Sequence, residues 1–416
     1  MTGPRMTPEI KRLSVLIGVN FVDMIGLMLV LPILPFYATD LGASPVTVGW
    51  LIGAFSIAQL IAAPVWGRVS DRYGRRPALV IGLTASSVAF LVFGLATSVW
   101  LLFLSRLIQG AGGGTTGVAQ AYVADTVRPS DRAKALGWLS ASTNVGVVIG
   151  PVIGGLAVQL GRSWPGFIAA ALCATNAYFA WRWLPESRKA TAGDQPAERK
   201  PIWHAAWMVL RHPTRSVSRY VWIYGIGMLA FTSLTAILAL FLKAEHGVTE
   251  KTIGFFFTYT GLLNILMRVV ALGPIVDRIG ETRSMRLGAM FLIVGMAVYP
   301  LAHNLWQLAL LIPLVPIGTA LLFPSTTALM SRVSEKDELG TTMGVAQTYA
   351  GISRIIAPLF ATNLFQYIGH GAPFYAGSVI VALVSILAFH VDHVPMHTGE
   401  TPVPEVEAGV GAGQKP

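Results

Sequence analysis

GRVSDRYGRR at residues 67–76 and GPIVDRIGET at residues 273–282 are one pattern written twice, 206 positions apart. Gly67, Asp71, Arg72 and Gly74 recur as Gly273, Asp277, Arg278 and Gly280. Downstream, Asp131 recurs as Asp337 at the same offset, Gly137 and Pro151 recur as Gly344 and Pro358 one residue later, and Gly161 pairs with Gly369. Self-similarity over so much of the chain marks a duplicated unit. Two matched halves about a pseudo-twofold axis leave a cleft between them, where a cargo would sit.

The decapeptides stand between long apolar runs, and the composition agrees: 54% of the 416 residues are hydrophobic and only 12% are charged, against about 25% charged in soluble domains. Windows of about 20 residues, each able to cross about 30 Å of hydrocarbon, recur to about residue 389. The breaks between them predict twelve spans. Six lie near 13–35, 47–66, 77–97, 99–122, 135–159 and 164–184, and six near 219–242, 252–273, 285–302, 305–330, 341–368 and 373–389. The expected fold is an all-α polytopic membrane protein of two six-helix halves, 13–184 and 219–389. A cytoplasmic N-terminus (1–12), a linker (185–218) and a tail (390–416) complete the chain, and Met1–Arg12 lacks a cleavable signal pattern.

Of the 30 Lys and Arg, Arg106, Arg268 and Arg354 fall inside spans and Arg162, Lys243 and Lys251 in loops of one side; the other 24 share a side with both termini. Basic loops stay in the cytoplasm, so both termini are expected there. Scattered in this way, the net charge of +10 reads as topology rather than nucleic-acid binding. In the linker, Trp203, Trp207 and Leu210 mixed with Lys200, Arg211, Arg215 and Arg219 suit either a helix on the anionic leaflet or a basic tether. The Gly-, Pro- and Glu-rich tail is expected to be disordered.

Charge inside the membrane is costly and counts as a functional candidate. Asp23 in span 1 is the one carboxylate deep within any span, and so the candidate proton or cation site. In the 67–76 loop, Asp71 lies among Arg68, Arg72, Arg75 and Arg76, with Asp125 placed to join them through charge-assisted hydrogen bonds. Gly67 and Gly74 are expected to allow tight backbone geometry. In span 5, Gly146, Gly150, Gly154 and Gly155 let helices approach closely and Pro151 favours a bend. Gly112, Gly114 and Gly117 match a dinucleotide-binding spacing, but without a preceding strand close packing explains them better. Arg268 and Arg354 either line the cleft and attract an anion or snorkel to an interface. Asn20, Gln59, Asn144, Tyr259, Asn264, Gln347 and Tyr349 are uncharged candidates for cargo contact, though such residues more often serve helix packing. Cys173 reads as core, and no nucleophile-and-base set or metal-ligand spacing is present, so neither enzyme nor cofactor is expected.

GRVSDRYGRRP resembles signature motif A of the major facilitator superfamily. FVDMIGLMLVLPILPFY in span 1, RLIQGAGGGTTG in span 4, NVGVVIGPVIGG in span 5 and LPES closing span 6 place the chain near its twelve-helix drug:proton antiporters, close to the tetracycline exporters. The resemblance implies a latch on the cytoplasmic side built from Gly67, Asp71, Arg72, Gly74, Arg75 and Asp125, with Asp277 and Arg278 as its repeat. It makes Arg106 the motif B arginine and the expected partner of Asp23, leaving open a proton site or a structural pair. The span 5 motif implies export over uptake. The chain departs from the tetracycline exporters at Ala89 and Asn264, where an acid and a histidine are expected, and in span 9, which has no acid. The expectation is a monomeric carrier in the cytoplasmic membrane exporting a small amphipathic compound against protons. A carrier of organic anions or metabolites with the same fold is the alternative, and a membrane enzyme or receptor a more distant one.

Overall fold

A computed structural model describes residues 8–187, 207, 209–211, 216–334 and 339–389. The linker and tail readings, the tail histidines and Asp337 lie outside these residues, apart from the few linker positions named.

Twelve helical segments correspond to the twelve predicted spans. The first half comprises α1 (Pro8–Val30, continued by Leu34–Asp40), α2 (Pro45–Tyr73), α3 (Arg75–Gly94), α4 (Val99–Gly112, resumed as Thr115–Thr126), α5 (Pro129–Leu160) and α6 (Trp164–Trp183). The second comprises α7 (Ser216–His246), α8 (Ile253–Leu266, the π-helical turn Met267–Ala271 and the chain as far as 279), α9 (281–298), α10 (Leu305–Leu311 and Leu314–Val333), α11 (Leu339–Tyr367) and α12 (Ala372–Phe389). A single helical stretch, Leu272–Val298, contains both the end of α8 and α9, turned at Gly280. Side chains cap several starts: Ser44, Ser98 and Asn304 accept from the amides of Thr47, Leu101 and Gln307, satisfying donors a helix leaves open.

The repeat is exact enough in space to be read from packing. In the first half α1 packs on α5 and α6, α3 on α4 and α6, and α2 on α4. The second half makes the equivalent set: α7 on α11 and α12, α9 on α10 and α12, and α8 on α10. Among the described residues, the glycines with positive φ fall into three repeat-related pairs, Gly42 with Gly247, Gly74 with Gly280, and Gly161 with Gly369. Both interior prolines of the repeat, Pro151 and Pro358, sit inside helices, in α5 and α11.

The halves meet along two seams, α2 with α11 and α5 with α8, which the repeat exchanges. Both seams belong to the end away from the 67–76 loop. At this far end the Val46 amide donates to Gln366 Oε1 at 3.1 Å, Thr258 Oγ1 donates to the Val148 carbonyl at 3.2 Å, and Lys243 Nζ lies 3.3 Å from Asp40 Oδ1. Lys243 Nζ also donates to Thr39 Oγ1 at 2.7 Å, joining the halves at the same end. At the loop end the halves diverge, and Arg268, Gln347 and Arg354 are exposed within their spans.

Candidate functional site

Asp23 sits on the middle of α1, half-buried. Its Oδ2 accepts from Thr115 Oγ1 at 3.0 Å. Thr115 reaches it because α4 breaks at Gly113 and Gly114 and restarts at Thr115. Gln59 of α2 donates to the Gly113 carbonyl at 3.2 Å and so holds the break. On α3, Gly82 leaves room for the threonine, since a Cβ there would stand 2.8 Å from Thr115 Cγ2. Cys173 is buried nearby on α6, in electrostatic range of Asp23, as core.

The expected Asp23–Arg106 pair does not form. Arg106, 1% exposed, lies in the first segment of α4 with its guanidinium 5.5 Å from the centroid of the Phe93 ring. It makes one long contact, 3.4 Å to Ser105 Oγ, and its Nε has no partner. Nine positions separate Arg106 from Thr115, about 14 Å along a helix at about 1.5 Å per residue. Arg106 and the threonine that holds Asp23 therefore stand at different depths of α4. An aromatic face supplies part of what a carboxylate would have offered the cation.

The 67–76 loop builds a charge cluster around Arg75, which is 7% exposed. Its Nη1 lies 2.7 Å from Asp71 Oδ1 and donates to Ser70 Oγ at 2.7 Å, while Nε reaches Asp125 Oδ2 at 2.9 Å. Glu186, in LPES, accepts from the Arg75 and Arg76 amides at 2.8 and 3.1 Å, capping α3. No sequence signal had marked this role beyond the LPES segment itself. Gly74 has φ of 102°, and a Cβ there would fall 2.5 Å from Glu186 Oε2. Gly74→Ala is therefore expected to destabilise the protein by about 1–3 kcal/mol, read as a lower melting temperature in detergent; an unchanged melting temperature would contradict this account of the turn.

Three expectations for this cluster change. Gly67 has open space around it rather than a close neighbour, as does its repeat Gly273. Arg72 stacks by Tyr73, 5.4 Å from the ring centroid, and is exposed. In the second half Asp277 and Arg278 are exposed and form no ion pair among the described residues; instead Arg332 pairs with Glu281. Glu281 occupies the position equivalent to Arg75, so the second half keeps the bridge with its signs exchanged. The residue immediately after the repeated glycine is the one that meets the neighbouring helix, whichever sign it carries.

The span 5 glycines divide their work. Gly146, Gly150 and Gly154 face α1, where added Cβ atoms would meet Met24, Met28 and the Leu29 carbonyl at 2.9, 2.6 and 2.3 Å. Gly155 and Pro151 face the other half: a Cβ on Gly254 of α8 would lie 2.3 Å from the Pro151 carbonyl oxygen. Gly112 and Gly114 pack tightly on Gly82 with Ala85 and on Trp66, whereas Gly117 has open space.

Most of the uncharged candidates pack helices. Asn20 donates to the Leu139 carbonyl, Ser142 Oγ and Thr143 Oγ1 at 3.2, 3.1 and 2.7 Å, tying α1 to α5. Tyr259 donates to the Ala309 carbonyl and Asn264 to Thr319 Oγ1, both joining α8 to α10. Tyr349 stacks edge-on with Trp222. Asn144 is half-buried on α5. Gln347, exposed on α11, donates to the Tyr224 hydroxyl at 3.5 Å. Arg268 stands on the π-helical turn, within electrostatic range of Tyr224. Arg354 is exposed on α11 without an ion pair among the described residues. Sequence reasoning missed Thr115, Glu186, the Glu281–Arg332 bridge and the Lys243–Asp40 contact, each of which depends on which helices become neighbours.

Comparison with known proteins gives a consistent picture. The family model described as Major Facilitator Superfamily matches residues 16–233 and 220–414. Multidrug resistance protein 2 of Bacillus subtilis is 28% identical over 371 residues, 88% of this chain and 92% of that protein. The class B tetracycline resistance protein of Escherichia coli is 26% identical over 363 residues, 86% of this chain and 89% of its own length. The crystal structure of the human organic anion transporter MFSD10 (TETRAN) superposes with a TM-score of 0.67 at 22% identity, covering 92% of this chain and all of that one.

Proposed function

The chain belongs to the Major Facilitator Superfamily, and from that premise we propose that it exports small amphipathic compounds in exchange for protons by alternating access. The observation that carries this reading is Asp23. It is a carboxylate placed within a span, held by one hydroxyl and unpaired with Arg106, so its charge is not already committed to a structural bridge. Such a group can take a proton on one side and release it on the other as the cleft changes sides. The relatives' names, multidrug and tetracycline resistance proteins, support drug-like cargo.

The state described here is sealed at the far end by the Gly254–Pro151 and α2–α11 seams and open at the loop end. With both termini and the 67–76 loop in the cytoplasm, this is the inward-open state of a monomer in the cytoplasmic membrane. A reporter fused to either terminus and found active only outside the cell would refute that orientation. Closure of the loop end brings the Arg75 cluster and open Gly67 towards the start of α11, the seam's continuation, so that Asp71 meets the positive end of that helix. Asp277, exposed in the open state, would do the same towards the start of α5.

Everted vesicles test the exporter reading. On adding cationic, neutral and anionic amphipathic compounds to energised vesicles, at least one class is expected to release protons only when the protein is present. Proton movement independent of every compound would refute the proposal.

A further inference from the structure

Among the described residues, Arg268, Tyr224 and Gln347 of the second half form a donor set without a charged acceptor. Arg268 lies roughly midway along α8, on the turn Met267–Ala271, where the helix widens to i→i+5 bonding; such turns recur at functional sites. Arg268 is exposed and makes no hydrogen bond or ion pair among the described residues. Tyr224 of α7, in the same half, lies within electrostatic range of it. Because the Tyr224 oxygen accepts from Gln347 Nε2 at 3.5 Å, its own O–H is left to donate elsewhere. A ring edge completes the place: Phe323 stands 5.5 Å from Tyr224, centroid to centroid, at 70°.

An arginine in the membrane interior without a carboxylate is unfavourable unless something pairs with it. Among the described residues no carboxylate pairs with Arg268. A guanidinium fork matches a planar carboxylate with two parallel hydrogen bonds, and the Tyr224 hydroxyl adds a third donor beside an aromatic wall. Arg106 is sealed against Phe93 and offers no equivalent opening.

The geometry points to a carboxylate-binding subsite formed by Arg268 and Tyr224, which makes aromatic carboxylic acids a cargo class of this carrier. This rests on the exporter reading and refines it: the first half holds the titrating carboxylate, and the second half grips the acidic group of the cargo.

The probes are dansyl-phenylalanine and its methyl ester, which differ only in the charged group, titrated into purified full-length protein and followed by dansyl fluorescence. Wild type is expected to bind the acid at least about tenfold tighter than the ester, the range for a charged hydrogen-bonded pair. Arg268→Gln is expected to erase that preference while leaving ester affinity within about twofold, which also shows an intact cavity. Arg268→Lys should retain part of it, and Tyr224→Phe should reduce it severalfold. The subsite is refuted if wild type binds acid and ester alike, or if Arg268→Gln leaves their ratio unchanged. Binding needs no proton gradient, so a failure of proton-coupled flux with the binding pattern intact would count against the exporter reading alone.

Discussion

In Asp23→Asn, compound-driven proton movement is expected to fall to the level of vesicles lacking the protein. The substitution keeps the size of the side chain and its ability to accept from Thr115, so the packing of α1 against α4 should survive. What disappears is the one ionisable carboxylate deep within the spans, and with it the exchange of a proton for cargo. Binding of an uncharged compound, and its exchange down a gradient, should persist. Coupled flux at the wild-type rate and equal expression would remove Asp23 from the mechanism. Because Arg106 is not its partner, Arg106→Gln should act differently, through the packing around Phe93.

Gly254→Leu is expected to abolish transport by a separate route, holding the far end open. A Cβ at 254 already meets the Pro151 carbonyl at 2.3 Å, and the contact is with backbone, which has little freedom to withdraw. Overpacking of this kind costs about 1–3 kcal/mol, and it applies only in the state where α5 and α8 touch. The ratio of inward-open to outward-open molecules should therefore drop by about ten- to a hundredfold. Spin labels at the far ends of α2 and α11 should report a longer distance. Asp71→Asn is expected to move the same equilibrium oppositely, by weakening closure at the loop end while the far seam stays short. An unchanged far-end distance in Gly254→Leu, or an unchanged loop-end distance in Asp71→Asn, would refute the assignment of the two ends as gates.

Much of the architecture is legible in the sequence. The decapeptide repeat announced two halves, and the structure pairs Gly74 with Gly280 at positive φ as that repeat requires. Spacing along α5 told that Gly146, Gly150 and Gly154 share a face, because residues four apart lie above one another on a helix. It did not tell that this face meets α1 while Gly155 meets the other half. The charge cluster was partly legible: Asp71, Arg75 and Asp125 were in view, and Glu186, distant by more than a hundred positions, was not.

The sequence alone determined the class of protein, the number of spans, the twofold repeat and the exceptional standing of Asp23. Those follow from local quantities: the length of apolar runs, the rarity of charge within them, and the recurrence of residues at a fixed offset. Only the tertiary structure decided partners. A broken turn at Gly113 and Gly114 delivers Thr115, not Arg106, to Asp23; Arg332 and Glu281 replace Asp277 and Arg278 in the second cluster; and Arg268 lies within electrostatic range of Tyr224, with no acid paired to it among the described residues. The physical reason is common to all three. Which side chains meet depends on the depth and rotation of whole helices in the bundle, and a single break or widened turn shifts both for every residue beyond it.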